Sequence, residues 1–207
     1  MNAANHGSVA GVVLAAGASR RLGGGQAKQL LTDEEGRAMV VRSAMQLHDA
    51  GCAPVLVVTG AAHAAVSHAL ESYDVTVVFN ALWTEGMSSS IRCAVDWLLS
   101  HAAGTDAVLI AACDMPGVTS EHVALMLSTF RKEGSRVASV YETTSGTHVS
   151  GIPALFPRED WSALLTLSGD RGARDLLSRP NTLAVALPSG FDLDTPDDVE
   201  RWRAGML

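Results

Sequence analysis

Short runs of aliphatic, β-branched-rich residues recur along the chain, separated by segments with helical spacing. The runs Val9–Ala15, Val55–Thr59, Thr76–Phe79, Ala107–Ala112, 137–141 and Leu183–Ala186 predict strands. Several are continuously apolar, as expected of strands covered on both faces. Helices are predicted over 39–50 and near 88–101, where Ile91, Val95, Leu98 and Ala102 share a face. A third starts near Thr119 and aligns Val123, Met126, Leu127 and Phe130 at i, i+3, i+4, i+7 spacing. Strand–helix alternation with right-handed crossovers predicts one α/β domain over 1–207: a Rossmann-like, three-layer fold with a mostly parallel sheet. Residues 1–7 read as a flexible tail. The rhythm breaks at 141–157, where a turn over 142–146 and a strand over 148–156 predict a small antiparallel excursion.

Composition narrows the class. The 207 residues are 47% hydrophobic and 18% charged, enough to bury a core. A formal net charge of −7 argues against a nucleic acid or an anionic membrane surface as partner. Cys52, Cys93 and Cys113 are odd in number and show no CxxC spacing, so neither a disulfide framework nor a zinc cluster is expected. No Lys or Arg precedes the apolar run at Val9, and no run approaches the roughly 20 residues of a membrane span. The expected location is the cytoplasm.

In open α/β sheets ligands bind beyond the carboxyl ends of the strands, so chemistry is sought in the loops 16–28, 80–90, 113–118 and around 192. The first loop combines Gly17, Ser19, Gly23, Gly24 and Gly25 with Arg20, Arg21 and Lys28. Glycines let backbone N–H groups approach phosphate oxygens, and the cations balance their charge. A flexible turn with solvated charges is the plainer reading. The chain has no Gly-Lys pair for a P-loop, and Ser19 stands where GxGxxG needs glycine. A nicotinamide-dependent oxidoreductase on the same layered fold is thereby disfavoured.

Asp114 follows an apolar run directly. A carboxylate at a strand tip beside a phosphate loop suits Mg²⁺, which takes one or two carboxylates plus phosphate oxygens and waters. The alternative, a helix cap, is better served by Thr119 or Ser120. Asp192 and Asp194 flank Leu193 in a strand-like segment and fall on one face. Thr195, Pro196, Asp197 and Asp198 read as a helix start. Among Ser88, Ser89 and Ser90, one serves as an N-cap and the others are free to contact a ligand. The seven histidines form no metal-binding pair.

Taken together, these motifs resemble the molybdenum cofactor nucleotidyltransferase family. The resemblance rests on Leu14, Ala15, Ala16, Gly17, Ala18, Ser19, Arg20, Arg21, Leu22 and Gly23 followed by Lys28; on 83–91; on Cys113 to Pro116; on 151–156; on 169–174; and on 191–196. It is closest to the molybdopterin cytidylyltransferase branch, which has Ala at the position of Ala16 where guanylyl relatives have Gly. The interval from Gly23 to Lys28 is longer than in that branch, and Lys28-Gln29 is similar to the cytidylyltransferases of isoprenoid synthesis. The resemblance implies the GT-A-like fold of nucleotide-diphospho-sugar transferases and transfer of a nucleotidyl group, from CTP in preference to GTP, to the phosphate of molybdenum cofactor, with another small phosphorylated acceptor such as a sugar phosphate as the alternative. A molybdoenzyme would be the downstream recipient. A non-catalytic cofactor-delivery factor is the alternative of another class. Lys28, Arg21 and Asp114 would be catalytic. Leu14, Ala15, Ala16, Gly17, Ser19, Arg20, Arg21, Lys28, Ser88 and Ser89 would hold the nucleotide. Gly151, Pro153, Arg171 and Arg174 would face the acceptor, and Asp114 and Asp192 would bind Mg²⁺, with Asp194 open to either a metal or a helix-capping role.

Overall fold

Seven strands hydrogen-bond into one sheet: β1 (Val9–Ala15), β2 (Val55–Thr59), β3 (Thr76–Phe79), β4 (Ala107–Ala112), β5 (Val137–Glu142), β6 (His148–Pro157) and β7 (Leu183–Ala186), in the order β3-β2-β1-β4-β6-β5-β7. The computed structural model describes residues 7–23, 27–142, 146–170 and 172–205. Most of the expected tail, Gly24 and Gly25 of the first loop, residues 143–145 of the predicted turn and Arg171 therefore lie outside the described residues. The helices are α1 (Met39–Asp49), α2 (His63–Leu70), α3 (Met87–His101), α4 (Ser120–Glu133), α5 (Trp161–Leu165), α6 (Arg174–Leu177) and α7 (Pro196–Arg203).

Strand alternation sorts β1 between two cores. Val9, Val13 and Ala15 pack on one side with Val40, Leu47, Val123 and Phe130 from α1 and α4. Ala10, Val12 and Leu14 pack on the other with Ile91, Leu98 and Trp161 from α3 and α5. This is the expected three-layer α/β arrangement, built from continuously apolar strands because each face is covered. A third cluster of Leu22, Leu31, Met39, Leu193 and Val199 binds the C-terminal segment to the first loop.

All neighbouring strands are parallel except β6, which runs antiparallel to both β4 and β5. The expected antiparallel part is present, as a strand inserted between β4 and β5. Its register against β5 shifts between Ala138 and Ser139. There the Ser139 hydroxyl donates to the Pro153 carbonyl at 2.7 Å in place of a ladder bond. The sequence pattern did not mark α2, α5 and α6. They are short, and α2 buries only Val66 and Leu70.

The chain steps outward from β1 to β2 and β3, then crosses back to β4 on the other side of β1, so the crevice opens beyond the carboxyl ends of β1 and β4. Leu109 lies fully buried on β4 at the base of this arrangement. Leu109→Ala is expected to cost about 2–5 kcal/mol of stability, measured as a lower urea midpoint at unchanged slope.

Candidate active site

β1 ends at Ala15, and the backbone that follows turns its carbonyls into the protein. Leu14 O accepts from Cys113 N at 3.2 Å, Ala16 O from Ala61 N at 3.1 Å and Ser19 O from Leu22 N at 3.1 Å. The side-chain amide of Gln29 donates to Ala15 O at 3.0 Å and to Gly17 O at 2.6 Å. Among the described residues, no acceptor faces the N–H groups of Gly17, Ala18, Ser19, Arg20 or Arg21. Successive free N–H groups on a concave turn form a nest for an anion. Ser19 adopts a left-handed φ of 52° in this turn. Such a conformation is uncommon for a residue with a side chain and is held by its surroundings. Here the Ser19 hydroxyl accepts from Lys28 N at 2.9 Å and donates to Gln29 Oε1 at 3.3 Å.

Behind the loop, Gly60 allows a close approach. A Cβ there would stand 2.6 Å from both the Ala16 carbonyl oxygen and the Trp83 Cβ. Trp83 thereby forms one wall of a cleft of about 560 Å³, also lined by Leu14, Ala15, Ala16, Gly17, Ser19, Arg20, Arg21, Lys28, Ser90, Asp114 and Asp194. A second cavity, of about 450 Å³, adjoins it. Lys28, Arg21, Met87, Asp114, Asp170 and Asp194 line both. Asp192, Tyr141, Gly151, Ile152 and Arg174 line the second alone.

The structure brings the predicted first-loop residues together and departs from expectation elsewhere. Gly86 precedes α3 as its N-cap, with no serine cap, and Ser88, Ser89 and Ser90 are buried in the first turn. Of the three, only Ser90 lines the cleft, and Ser88 and Ser89 are buried within the first turn of a helix that starts at Met87. Ser88 Oγ is buried with no hydrogen-bond partner among the described residues, whereas the burial of Ser89 and Ser90 is explained by Asn80, which sequence reasoning missed. Its amide donates to Ser89 Oγ at 2.8 Å and Ser90 Oγ at 3.1 Å, and its carbonyl accepts from Leu82 N at 2.9 Å. Its one legible signal is its place directly after β3. Pro153 is buried against Ser139 rather than facing the cavity. Asp170, also missed, accepts from Met87 N at 3.3 Å and so caps α3 from a distant loop. Gln29 carried no periodic signal at all.

The electrostatic centre lies where the two cavities meet. Lys28 Nζ hydrogen-bonds Asp114 Oδ2 and sits 3.1 Å from Asp194 Oδ1, while Arg21 Nη1 pairs with Asp194 Oδ2 at 2.7 Å. Burial alone would lower the Lys28 pKa. The Asp114 charge and hydrogen bond, followed by Asp194, outweigh it and hold the ammonium charged well above its ordinary range. No strand forms over 191–194, yet Leu193 is buried between two acids that both reach the cavity. Leu193 N donates to Asp114 O at 2.9 Å and joins the two acidic segments. The α7 capping box, in which Asp198 accepts from Thr195 N at 2.7 Å and Asp194 N at 3.2 Å, fixes that segment from the other side.

Water reaches Asp192 from the mouth of the cavity, but the protein packed around it desolvates its charge. That burial, then repulsion from Asp114 and Asp194, raises its pKa to about 7. An acid with a raised folded pKa holds its proton more tightly in the fold. Its stabilising contribution is therefore present at low pH and lost as pH rises from about 4 to about 7. Asp192→Asn in metal-free protein is expected to raise the thermal midpoint strongly at pH 8 and by clearly less at pH 5. Equal shifts at both pH values would contradict this electrostatic account.

The chain is 32% identical over 197 residues to the nicotine blue oxidoreductase of Paenarthrobacter nicotinovorans, covering 93% of this chain and 92% of that one. The crystal structure of Rv0371c from Mycobacterium tuberculosis H37Rv matches with a TM-score of 0.76 and 27% identity over 96% of this chain and 99% of that one. Rv0371c has also been crystallised with manganese; that structure matches with a TM-score of 0.73 at 24% identity, covering 96% and 99%. A nucleotidyl transferase from Methanothermobacter shares the fold, with a TM-score of 0.76 at 23% identity over 97% and 98% of the two chains. The family model of the MobA-like NTP transferase domain matches residues 11–184, from the first strand to the last. With that match spanning both the N–H nest and the Asp114 tip, the chain belongs to the MobA-like NTP transferase domain family and is a nucleotidyltransferase.

Proposed function

We propose that the protein transfers a cytidylyl group from CTP to the phosphate of molybdenum cofactor, with release of pyrophosphate. The observation that carries the reading is the junction of an N–H nest with the Lys28–Asp114–Asp194–Arg21 cluster at the boundary of two cavities. One cavity suits a triphosphate and base; the other suits an acceptor that must meet the α-phosphorus at the boundary.

The donor set fits a divalent cation of the Mg²⁺ kind. Among the described residues no group of three His, Cys, Asp or Glu side chains forms a metal cage. Mg²⁺ does not need one, since it keeps waters and phosphate oxygens beside one or two carboxylates. Asp114 and Asp192 would hold it, and the manganese complex of Rv0371c is in keeping with a divalent ion. When bound, the ion neutralises developing charge on the phosphates.

The acceptor phosphate has a second pKa of about 6 and is largely ionised at pH 7, so no general base is required. One of its oxygens attacks the α-phosphorus in line, the bond to the bridging β-oxygen breaks, and pyrophosphate leaves with that electron pair. The N–H groups of Gly17 to Arg21 hold the phosphates. Lys28 stabilises charge at the α-phosphoryl group, and Arg21, with Arg20 beside it, steadies the leaving pyrophosphate. Ala16 places a methyl beside the base and favours cytosine. Gly151 and Arg174 line the acceptor cavity. The reading extends to Arg171, which lies outside the described residues, and to a downstream molybdoenzyme that would receive the product.

The nicotine blue oxidoreductase relative favours a second reading, a redox enzyme on this fold. Titration with NADH and NADPH, followed by nucleotide fluorescence, separates the two readings, and no saturable change is expected. Pyrophosphate release with Mg²⁺, molybdenum cofactor and each of CTP, GTP, ATP and UTP is the direct test, with CTP expected to lead. Absence of release with all four would end the proposal. Lys28→Ala and Asp114→Ala should each lower kcat by about 100-fold or more with near-UV circular dichroism unchanged. Wild-type turnover in either variant would remove that residue from the mechanism.

A further inference from the structure

Gln29 is fully buried, and every polar atom of its side chain points at the first loop. An amide has two N–H donors and one carbonyl acceptor. Here both donations go to the carbonyls of Ala15 and Gly17, and the carbonyl accepts from Ser19. Ser19 in turn accepts from the backbone N–H of Lys28. One neutral side chain therefore orients the peptide planes that frame the nest and, through Ser19, the residue that carries the ammonium. A peptide plane cannot turn its carbonyl inward without turning its N–H outward. The Gln29 bond to Gly17 O thus presents the N–H of Ala18 to the cleft. Lys or Arg at this position could donate equally well but would bring a second buried cation to within reach of Lys28.

We propose that Gln29 is the positioning residue of the phosphate loop: by holding the Ala15 and Gly17 carbonyls away from the cleft, it keeps the loop complementary to a triphosphate before ligand arrives. Without it, two carbonyl dipoles lose their donor and are free to swing toward the phosphates they would repel. Ser19 also loses a partner that holds its left-handed backbone. The role rests on the nucleotide reading given above and adds to it a residue that does not itself touch the ligand.

The test is an amide NMR titration of the full chain with inorganic tripolyphosphate, comparing wild type, Gln29→Met and Gln29→Glu. In wild type, the resonances of Gly17 to Arg21 should shift saturably. In Gln29→Met, which fills the space without donating, affinity should fall by roughly 10-fold or more while resonances of the β1 and β4 core stay in place. Gln29→Glu offers one donor at most and none when ionised, so its affinity should also fall below wild type, providing the comparison if the Met variant does not fold. In steady state KM for the nucleotide should rise with KM for the acceptor unchanged, a split that loss of overall stability would not produce. Wild-type affinity in either folded variant overturns the inference. Wild-type amides that ignore tripolyphosphate would instead sink the nucleotide reading itself, and the role of Gln29 with it.

Discussion

Asp114, Asp192 and Asp194 come from two segments far apart in the chain and end in one cleft, where like charges in a partly desolvated space repel. The Lys28 ammonium, set between Asp114 and Asp194, offsets that repulsion, and Arg21 pairs with Asp194 from the solvent side. Asp192 has no such ion pair among the described residues, and its pKa is raised first by burial and then by repulsion from Asp114 and Asp194. A buried ion pair is weak evidence for stability in general, because desolvation consumes much of the attraction. Its significance here is geometric: it fixes cations and carboxylates at the boundary of two cavities.

The scaffold around this cluster rests mainly on backbone groups. Leu193 N–H ties to the Asp114 carbonyl, Cys113 N–H to the Leu14 carbonyl, and the Ser43 hydroxyl to the Cys113 carbonyl at 3.1 Å. Three segments that contribute acidic or cleft-lining groups are thereby bonded to each other directly. Such bonds hold the groups of a site in fixed relative positions. The small apolar cluster of Leu22, Leu31, Met39, Leu193 and Val199 reinforces the same junction from beneath.

The division of the cleft also follows from packing. Asp170 caps α3 from the loop before α6 and stands beside both cavities. Gly86 has to be glycine because its backbone lies at a φ of 100° and a Cβ would collide with the Asp170 carboxylate. Tyr141 fits against Gly151 and Gly190, where side chains would likewise collide with its ring. Glycines that look like loop punctuation in the sequence thus admit particular neighbours, which no local pattern reveals.

What the sequence determined by itself is what depends on near neighbours in the chain. Strands 9–15, 55–59 and 107–112 were legible because β-branched apolar runs have no stable place except inside a covered sheet. The capping box at Thr195, the Gly- and Arg-rich loop and the acid after β4 were legible because spacing alone sets their local geometry. Tertiary structure decided the rest. It inserted β6 between β4 and β5, buried Ser89 and Ser90 against Asn80, and set Asp194 rather than Asp192 against Lys28. It also gave Gln29 its carbonyl partners. Each of these outcomes depends on hydrogen bonds or charges contributed by segments distant in sequence, whose free energies are set by relative position and burial. Residue identity and periodicity carry no record of either until the chain has closed on itself.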